Sequence, residues 1–345
     1  MLLGAEATER PMNVVETVEE YCRQYSLFQL GETILIACSG GPDSLVLLDI
    51  LARLRPAYDL RLAVCYVHHG IREAADEEVR FVRQEAEKRA CPFICRRADV
   101  PALAAREHAS LEAVGRRERY RLLREEKDRL GAAAIAVAHH QDDQAETVLL
   151  HLLRGSGLAG LGAMRPRTGD VVRPLLGVTR GDIEAYVKER NLTPRHDETN
   201  DSVRFTRNRI RLELLPALRQ YNPSVVGDLN RLAQIAQDED DCMAQWASRL
   251  YEAHVKPCEG GAGVEKKWFL SQPVALQRRL VRLLCRNAAG TERDIPFHYV
   301  ETIRELACKG AGKQFQTGRV TAYTTKSDLC VVVSQGIKGR RRTKS

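Results

Sequence analysis

The chain has no long hydrophobic run, and no apolar stretch reaches the roughly 18 residues that a membrane-spanning helix requires. Residues 1–11 carry Glu6, Glu9 and Arg10, which does not match the layout of a secretory signal peptide. These two absences predict a protein that neither spans a membrane nor is exported. The composition, with 44% hydrophobic and 29% charged residues, is ordinary for a globular protein.

Closely spaced cysteine pairs are also missing, although the chain has ten cysteines. The closest two, Cys91 and Cys95, are separated by three residues, and no Cys-x-x-Cys motif occurs. Zinc and iron–sulfur sites usually need such pairs, so we predict neither. Cys38, Cys65 and Cys330 lie in apolar runs, where a free thiol behaves as a small hydrophobic side chain. The cysteines therefore favour a reducing compartment, the cytoplasm.

Neither sign of charge dominates, because 53 basic residues face 46 acidic ones and the formal net charge is +7. An excess of this size permits a nucleic-acid partner without requiring one. Its distribution is more informative, since residues 202–212 contain four arginines and no acidic residue. The chain ends in a basic tail at 336–345, which we expect to be a solvated end.

Apolar runs alternate with helical patterns through about the first 200 residues. Strands are predicted at 34–38, 61–67, 93–97 and 133–138. Helices are predicted at 43–55, 74–90, 110–130 and 143–153. The strands are mostly apolar rather than alternating, which is typical of a parallel sheet with helices on both faces. We therefore predict an α/β fold with a doubly wound parallel sheet, whose ligand lies at the carboxyl ends of the strands.

The pattern changes near residue 221, where a smaller and mainly helical domain is predicted to begin. It contains a helical pattern at 226–255, a glycine-rich break at 260–263, a second helix at 273–286 and short strands within 315–333. The predicted organisation is an α/β domain at 1–220, a helical domain with a terminal β element at 221–335, and the basic tail at 336–345.

A glycine turn, Ser39 to Ser44, lies where the first predicted strand gives way to a helix. Gly40 and Gly41 let the backbone turn and approach a ligand without a Cβ in the way. The free amides and the positive dipole end of the following helix suit a phosphate group. The alternative is an ordinary turn in which Asp43 or Ser44 caps the helix.

A polar block follows the last predicted strand, with the sequence Ala-His-His-Gln-Asp-Asp-Gln-Ala-Glu-Thr at 138–147. Asp143 and Glu146 are three residues apart on a helix, so their carboxylates can share a face. With ATP nearby, carboxylates suit Mg²⁺, which prefers oxygen ligands. The two histidines, His139 and His140, follow the strand directly and are suited to bind phosphate or move a proton. The alternative is an acid-rich helix start.

Two pairs of arginines complete the set of candidate residues. Arg116 and Arg119 are three apart in the predicted helix 110–130, where a salt-bridged solvent face is the alternative. Arg207 and Arg211 are one helical turn apart and can grip two phosphates. For them the alternative is charge balance with nearby acidic residues, which are Asp197, Glu198, Asp201 and Glu213. A weaker signal comes from two histidines after the second strand, His68 and His69.

Together and in this order, these blocks resemble the tRNA(Ile)-lysidine synthetases, a family of PP-loop ATP pyrophosphatases. The glycine turn matches the PP-loop, and residues 111–120 look like the family's Glu-Ala-x-x-Arg-x-x-Arg-Tyr helix. Further matches are residues 138–147, Arg-Gly-Ser-Gly at 154–157, Arg-Pro-Leu at 173–175 and Arg-Asn-Arg-Ile-Arg at 207–211. The resemblance covers about residues 30–220 and implies a fold similar to the adenine nucleotide α-hydrolases.

The resemblance implies that ATP, Mg²⁺, free L-lysine and the isoleucine tRNA with a CAU anticodon are bound. Carbonyl O2 of cytidine 34 would attack the α-phosphate and release pyrophosphate. The lysine ε-amine would then displace AMP at C2, which gives lysidine. A PP-loop tRNA thiolase is the alternative enzyme, although Pro42 stands where many thiolases carry lysine and no Cys-x-x-Cys is present.

Roles are also implied for single residues. The leaving pyrophosphate is expected on the backbone of Ser39, Gly40, Gly41, Pro42, Asp43 and Ser44. Asp43 would also orient Mg²⁺, Arg116 would stabilise charge on the adenylate or cytidine, and His139 would contact the α-phosphate. Asp143 and Glu146 would hold the lysine amine and accept its proton. Contact with tRNA is expected from Arg207, Asn208 and Arg211.

The resemblance also implies that the domain at 221–335 contacts tRNA, and it leaves a homodimer open. Many family members have a further C-terminal domain that grips the tRNA, whereas this chain ends soon after its first small β element. We expect either a short form of the enzyme or a reduced second domain.

Overall fold

The computed structural model describes residues 13–68, 70, 75–195, 206–290 and 295–334. The chain divides into two compact units, one up to Gln237 and one from Asp238 onwards. Among the described residues, none of the helices combines the length and the apolar character that a membrane crossing needs. All ten cysteines are described, and each is a free thiol. His69, residues 197–201 and the tail at 336–345 lie outside the described residues.

The first unit is built on a six-stranded sheet in the order β3-β2-β1-β4-β6-β5. Its strands are β1 (Thr33–Ala37), β2 (Arg61–His68), β3 (Phe93–Arg97), β4 (Ala134–Ala136), β5 (Arg167–Thr168) and β6 (Val171–Val172). Neighbouring strands are parallel, except that β5 pairs antiparallel with β6 at one edge. The predicted parallel sheet is confirmed, and a short antiparallel edge strand is added to it.

Strand β1 shows that the sheet is covered on both faces. Ile34 and Ile36 pack in one core with residues of the first three helices, whereas Leu35 packs with Leu123 in another. All three β1 residues are fully buried, because successive side chains of a strand point to opposite faces and both faces are covered. This is why the strands are apolar at nearly every position.

The predicted helices correspond to α2, α3, α5 and α6 of the structure. The helices of this unit are α1 (Val14–Gln24), α2 (Pro42–Tyr58), α3 (Ala75–Lys88), α4 (Val100–Glu107), α5 (Leu111–Leu130), α6 (Gln141–Leu153), α7 (Leu158–Leu161), α8 (Arg180–Glu189), α9 (Thr206–Arg209) and α10 (Leu215–Tyr221). A 3₁₀ turn, Pro174–Gly177, precedes α8, and a π-helical turn, Ile210–Leu214, joins α9 to α10.

The division between the units falls within a long helix, α11 (Val225–His254), rather than at residue 220, where the sequence pattern changes. The second unit has a five-stranded sheet in the order β7-β8-β11-β10-β9, and its strand pairs are antiparallel. Its remaining elements are β7 (Val255–Cys258), β8 (Gly261–Glu265), α12 (Lys266–Ser271), α13 (Val274–Ala289), α14 (Phe297–Leu306), β9 (Gln314–Gln316), β10 (Val320–Thr324) and β11 (Asp328–Val333).

This second sheet is larger than predicted, because the glycine-rich break at 260–263 is the start of strand β8. Gly260 adopts a φ of +77°, which favours glycine in the turn between β7 and β8. A Cβ on Gly261 would lie 2.1 Å from the carbonyl oxygen of Val331 in the neighbouring strand. Glycine is therefore needed at both positions, at Gly260 for its backbone conformation and at Gly261 for the close approach of the neighbouring strand. Because glycine has no side chain, this strand shows no hydrophobic pattern in the sequence.

Candidate active site

The glycine turn between β1 and α2 has the conformation that an anion-binding turn needs. Gly40 has a φ of +86°, and a Cβ on it would lie 3.1 Å from Cγ2 of Val82. Gly41 is the N-cap of α2, and Pro42 is the first helical residue. Proline is well tolerated there, because the first amides of a helix have no partner inside the helix. The turn therefore leads directly into a free helix N-terminus.

Ser44 holds this turn in shape through its buried hydroxyl group. The Ser44 Oγ accepts hydrogen bonds from the backbone amides of Ser39 at 3.2 Å and Gly40 at 3.1 Å. It donates one to the carbonyl oxygen of Gly41 at 3.0 Å. Two of the amides expected on pyrophosphate are thus directed to Ser44, and Pro42 has no amide hydrogen. The first-turn amides of α2 are the donors that we expect to face an anion.

Asp43 lies in the first turn of α2, and its side chain is 40% exposed. The Nε2 atom of His140 lies 3.8 Å from the Asp43 carboxylate and 3.5 Å from that of Asp143. Burial raises the pKa of the Asp43 carboxyl, a shift that His140 opposes and the charge of Asp143 reinforces. Asp43 is therefore a carboxylate beside other acidic groups, where an added cation would be favoured.

The buried acidic pair, Asp143 and Glu146, lies on one face of α6, as the spacing predicts. Their side chains are paired with two guanidinium groups from the segment around α9. The Nε atom of Arg207 donates to Oε2 of Glu146 at 3.0 Å. The Nη2 atom of Arg211 donates to Oδ1 of Asp143 at 2.9 Å and to Oε2 of Glu146 at 3.0 Å. Two negative and two positive charges therefore balance inside the site.

These neighbours determine the charge state of Asp143. Burial by itself raises the pKa of this carboxyl, but His140, His139, Arg207 and Arg211 outweigh burial and hold the pKa below its ordinary value. Asp143 is also fixed in orientation, since its Oδ2 accepts a hydrogen bond from the backbone amide of His140 at 3.1 Å. The acidic pair therefore contains an ionised, immobilised carboxylate.

Asp142, the residue before Asp143, has a different set of partners. Its Oδ2 accepts a hydrogen bond from the backbone amide of Arg180, the first residue of α8, at 3.0 Å. Its Oδ1 accepts another from Nη2 of Arg219 in α10 at 2.6 Å. A carboxylate at a helix N-terminus is stabilised by the helix dipole. Asp142 therefore connects α6 to α8 and α10.

Helix α5 supplies a cluster of positive charge around an aromatic ring. The guanidinium carbons of Arg116, Arg119 and Arg124 lie 5.3, 5.3 and 5.7 Å from the ring centre of Tyr120. Such distances allow cation–π attraction. Burial lowers the pKa of the Arg119 guanidinium, and its interaction with Tyr120 opposes this. The Tyr120 hydroxyl is buried beside these guanidinium groups.

His139 is uncharged in these surroundings. Burial lowers its pKa to about 3, although Asp143 opposes the shift, and the positive charges of Arg173 and Arg207 lower it further. Its buried Nδ1 has no hydrogen-bond partner among the described residues. The same holds for Nε of Arg173, whose Nη1 donates to the carbonyl oxygen of Arg165 at 2.7 Å. This part of the site thus combines positive charge with unused hydrogen-bonding atoms.

The structure brings several predicted site residues together, since His140 lies between Asp43 and Asp143, and His139 lies near enough to Asp143 and Arg207 for their charges to shift its pKa. Arg116 lies near enough to Arg173 for its positive charge to lower the pKa of the Arg173 guanidinium, after the larger effect of burial. The predicted Arg-Gly-Ser-Gly segment at 154–157 instead follows the C-terminal end of α6. His140 belongs to the pair of histidines for which the sequence suggested phosphate binding or proton transfer. Sequence reasoning assigned no role to Tyr120 or Arg173, although each lies in one of the matched motifs.

The predicted tRNA contact of Arg207, Asn208 and Arg211 stays a prediction. Asn208 lies in α9 beside Arg207, and the guanidinium groups of both arginines are directed to the acidic pair in this structure. The charge balance considered from the sequence is therefore present, and among the described residues its acidic members are Asp143 and Glu146. Glu213 pairs with Arg209 instead, and Asp197, Glu198 and Asp201 lie outside the described residues.

Comparison with known proteins identifies the family of this site. Residues 13–218, more than half of the chain, match the family model described as a PP-loop domain. The chain is 40% identical over 297 residues to the tRNA(Ile)-lysidine synthase of Geobacter sulfurreducens, covering 85% of this chain and 63% of that protein. It is 32% identical over 327 residues to that of Clostridium acetobutylicum, covering 94% of this chain and 70% of that protein.

A solved structure supports the fold. The U34-tRNA thiolase NcsA from Methanococcus maripaludis, with its [4Fe-4S] cluster, matches with a TM-score of 0.55 at 16% identity. The match covers 64% of this chain and 79% of the thiolase, and at this identity it shows the fold alone. The chain spans 63% to 70% of the length of the two curated relatives. The motifs, the model match and the relatives agree, and the chain belongs to the tRNA(Ile)-lysidine synthase family of PP-loop proteins.

Proposed function

We propose that the chain is an ATP-dependent ligase that joins the ε-amine of L-lysine to C2 of cytidine 34 in the CAU anticodon of tRNA(Ile). The observation that carries this proposal is the buried acidic pair beside an anion-binding turn. A reaction between a phosphate-activated base and an amine needs both sites close together. His140 connects the two sites, because its Nε2 atom lies 3.8 Å from the carboxylate of Asp43 and 3.5 Å from that of Asp143.

In the first step, carbonyl O2 of cytidine 34 attacks the α-phosphorus of ATP, and the bond to the bridging oxygen of pyrophosphate breaks. The turn at Ser39–Ser44 and the N-terminus of α2 would hold the leaving pyrophosphate. Arg116 would stabilise negative charge on the adenylate. Because His139 is neutral, it would offer Nδ1 to an α-phosphate oxygen as a hydrogen-bonding group without adding charge.

In the second step, the ε-amine of lysine attacks C2, and AMP leaves with the oxygen that was O2. The amine must first lose a proton, because an ammonium ion is not a nucleophile, and we assign the acceptance of that proton to Glu146. We assign the binding of the ammonium ion to Asp143 and Glu146, which are buried at 8% and 1% exposure. The lowered pKa of Asp143 favours an anchoring role, since this carboxyl holds a proton weakly.

Mg²⁺ fits the residues around Asp43. Proteins usually bind this ion through one or two carboxylates and leave the other positions to water and substrate phosphates. Within the described residues no three His, Cys, Asp or Glu side chains cluster in a way that would enclose a metal. Burial raises the pKa of Asp43, and the negative charge of Asp143 raises it further. A bound cation would favour the ionised form of Asp43 and so offset both effects. When bound, Mg²⁺ would neutralise charge on the pyrophosphate.

Contact with the tRNA is proposed for the second unit and for the arginines around α9. The formal net charge of +7 supports binding of a polyanion.

The test is a transfer assay on the purified protein with ATP, Mg²⁺ and labelled lysine. The tRNA is either the CAU isoleucine tRNA or the elongator methionine tRNA, which has the same anticodon. Stable label on the isoleucine tRNA alone is the expected result. An Asp143→Asn variant, which keeps the shape of the side chain without its charge, is expected to lose the transfer. AMP release that requires a sulfur donor instead of lysine would point to a thiolase, and no ATP consumption would refute the proposal.

A further inference from the structure

The two arginines on the acidic pair are held to different extents. Arg211 contacts Glu146 through Nε and Nη2 and reaches Asp143 at 2.9 Å with the same Nη2. Arg207 makes one contact of 3.0 Å to Glu146, and its Nη2 lies 3.5 Å from Asp143, beyond a good hydrogen bond. The Arg207 side chain is also more exposed, at 30% against 24%. Arg207 is therefore the more easily displaced of the two.

Both carboxylates of the acidic pair are already paired with cations of the chain. Asp143 and Glu146 carry two negative charges, and Arg207 and Arg211 carry two positive charges. A lysine ammonium ion added to this cluster would place three cations around two carboxylates in a buried site. Like charges at such distances repel strongly where water is excluded. The amine site is thus already filled by cations of the chain itself.

We propose that Arg207 is an internal stand-in for the substrate amine, and that lysine binds by displacing its guanidinium group from the acidic pair. This inference rests on the proposed function, because it takes Asp143 and Glu146 as the amine site. Arg211 stays in place and orients both carboxylates. Exchange of one cation for another keeps the site neutral, so neither carboxylate is left buried without a partner.

Displacement has a second effect, because it releases a guanidinium group. Arg207 lies in α9, next to Asn208 and Arg209 in a segment rich in basic residues. A released Arg207 would be free to pair with a tRNA phosphate, which guanidinium groups bind well. Lysine and tRNA would then strengthen each other's binding by the same factor, as linkage requires. Arg207 is therefore a positioning residue that links the binding of lysine to the binding of tRNA.

The test compares Arg207→Met with Arg209→Met, a matched control in the same short helix. Arg209 pairs with Glu213 on the surface and does not contact the acidic pair. Lysine binding is measured by calorimetry in the presence of an ATP analogue with an α,β-methylene bridge. We expect the dissociation constant for lysine to fall at least fivefold in Arg207→Met and to stay within twofold in Arg209→Met. Arg207→Lys, which keeps a cation, should stay nearer to the wild type.

Unchanged or weaker lysine binding by folded Arg207→Met would overturn the inference. If that variant does not fold, the wild-type protein is titrated with lysine with and without tRNA(Ile), and equal affinities would overturn it. The transfer assay separates the two proposals. If the wild type transfers lysine but Arg207→Met does not bind lysine more tightly, only the inference about Arg207 is refuted. If Arg207→Met binds lysine more tightly but the wild type does not transfer lysine, only the proposed reaction is refuted.

Discussion

Single residues of one type take different roles in this site because their partners differ. Asp142 and Asp143 are adjacent, yet Asp142 binds a helix N-terminus and Arg219, while Asp143 shares two arginines with Glu146. The sequence predicted that Asp143 and Glu146 share a face, since this follows from helical spacing alone. Their arginine partners follow more than 60 residues later, and no local pattern links them.

Glu146→Gln is expected to reduce lysine transfer by about 10²-fold, as removal of a proton-accepting group commonly does. Glutamine keeps the shape of the side chain but cannot balance an ammonium ion or accept its proton. Adenylation, followed as ATP–pyrophosphate exchange, should fall much less. Glu213→Gln, in which the surface partner of Arg209 is changed, is the control and should transfer lysine normally. Near-normal transfer by Glu146→Gln would contradict the assignment.

His139→Gln should flatten the dependence of stability on pH. An unfolded chain protonates histidine near pH ~6.5, whereas native His139 protonates near 3. As the pH falls between these values, the unfolded state takes up the proton first, so the free energy of unfolding decreases. The variant loses this contribution, and its free energy of unfolding should change less between about pH 7 and about pH 4. Urea titrations measure this, with exposed His298→Gln as the control; equal slopes for wild type and His139→Gln would contradict it.

At the scale of elements, apolar character predicted the parallel strands well because both faces of the sheet are buried. Helices α2, α3 and α6 were equally clear, since each follows a strand, and α5 was clear because it has a defined start and end, with Ser110 at its N-cap and Gly131 at its C-cap. Strand β8 was missed, because glycine carries no hydrophobic pattern and its pairing with β11 depends on residues more than 60 positions later. The position of β8 in the sheet therefore depends on its pairing with β11, which the local sequence does not reveal.

Gly261→Ala should destabilise the second unit by about 1–3 kcal/mol, the usual cost of overpacking. The added Cβ would lie 2.1 Å from the carbonyl oxygen of Val331, which is backbone and cannot move alone. Gly318→Ala is the matched control, because a Cβ there meets no atom within 4 Å. Thermal or urea unfolding measures the difference. Equal stability of the two variants would show that β8 and β11 are not paired as described.

At the scale of the whole molecule, the sequence predicted two domains and placed the candidate active site in the first of them. The division lies within α11, because a continuous helix can belong to two compact units without a break in its hydrophobic pattern. The net charge of +7 and the arginines near α9 are properties of the surface that a polyanion would meet. They bear on how strongly and how fast tRNA binds rather than on how the chain folds.

Affinity for tRNA is expected to fall at least about tenfold between roughly 50 and 200 mM salt, because basic side chains release counterions from the phosphate backbone. Affinity for lysine should change far less, since lysine is a small molecule that binds among buried and balanced charges. Filter binding and calorimetry over this range give the two slopes. A tRNA affinity that does not respond to salt would speak against phosphate contacts by this chain.

Ser44 holds the glycine turn through hydrogen bonds from the backbone amides of Ser39 and Gly40, which are contacts within the chain itself. The entropy lost in ordering this turn is therefore a cost of folding and not of binding. A loop with its shape already set captures its ligand without waiting for a conformational step. We expect nucleotide entry to be governed by diffusion and orientation at this turn, with slower rearrangement confined to the exchange of cations on the acidic pair.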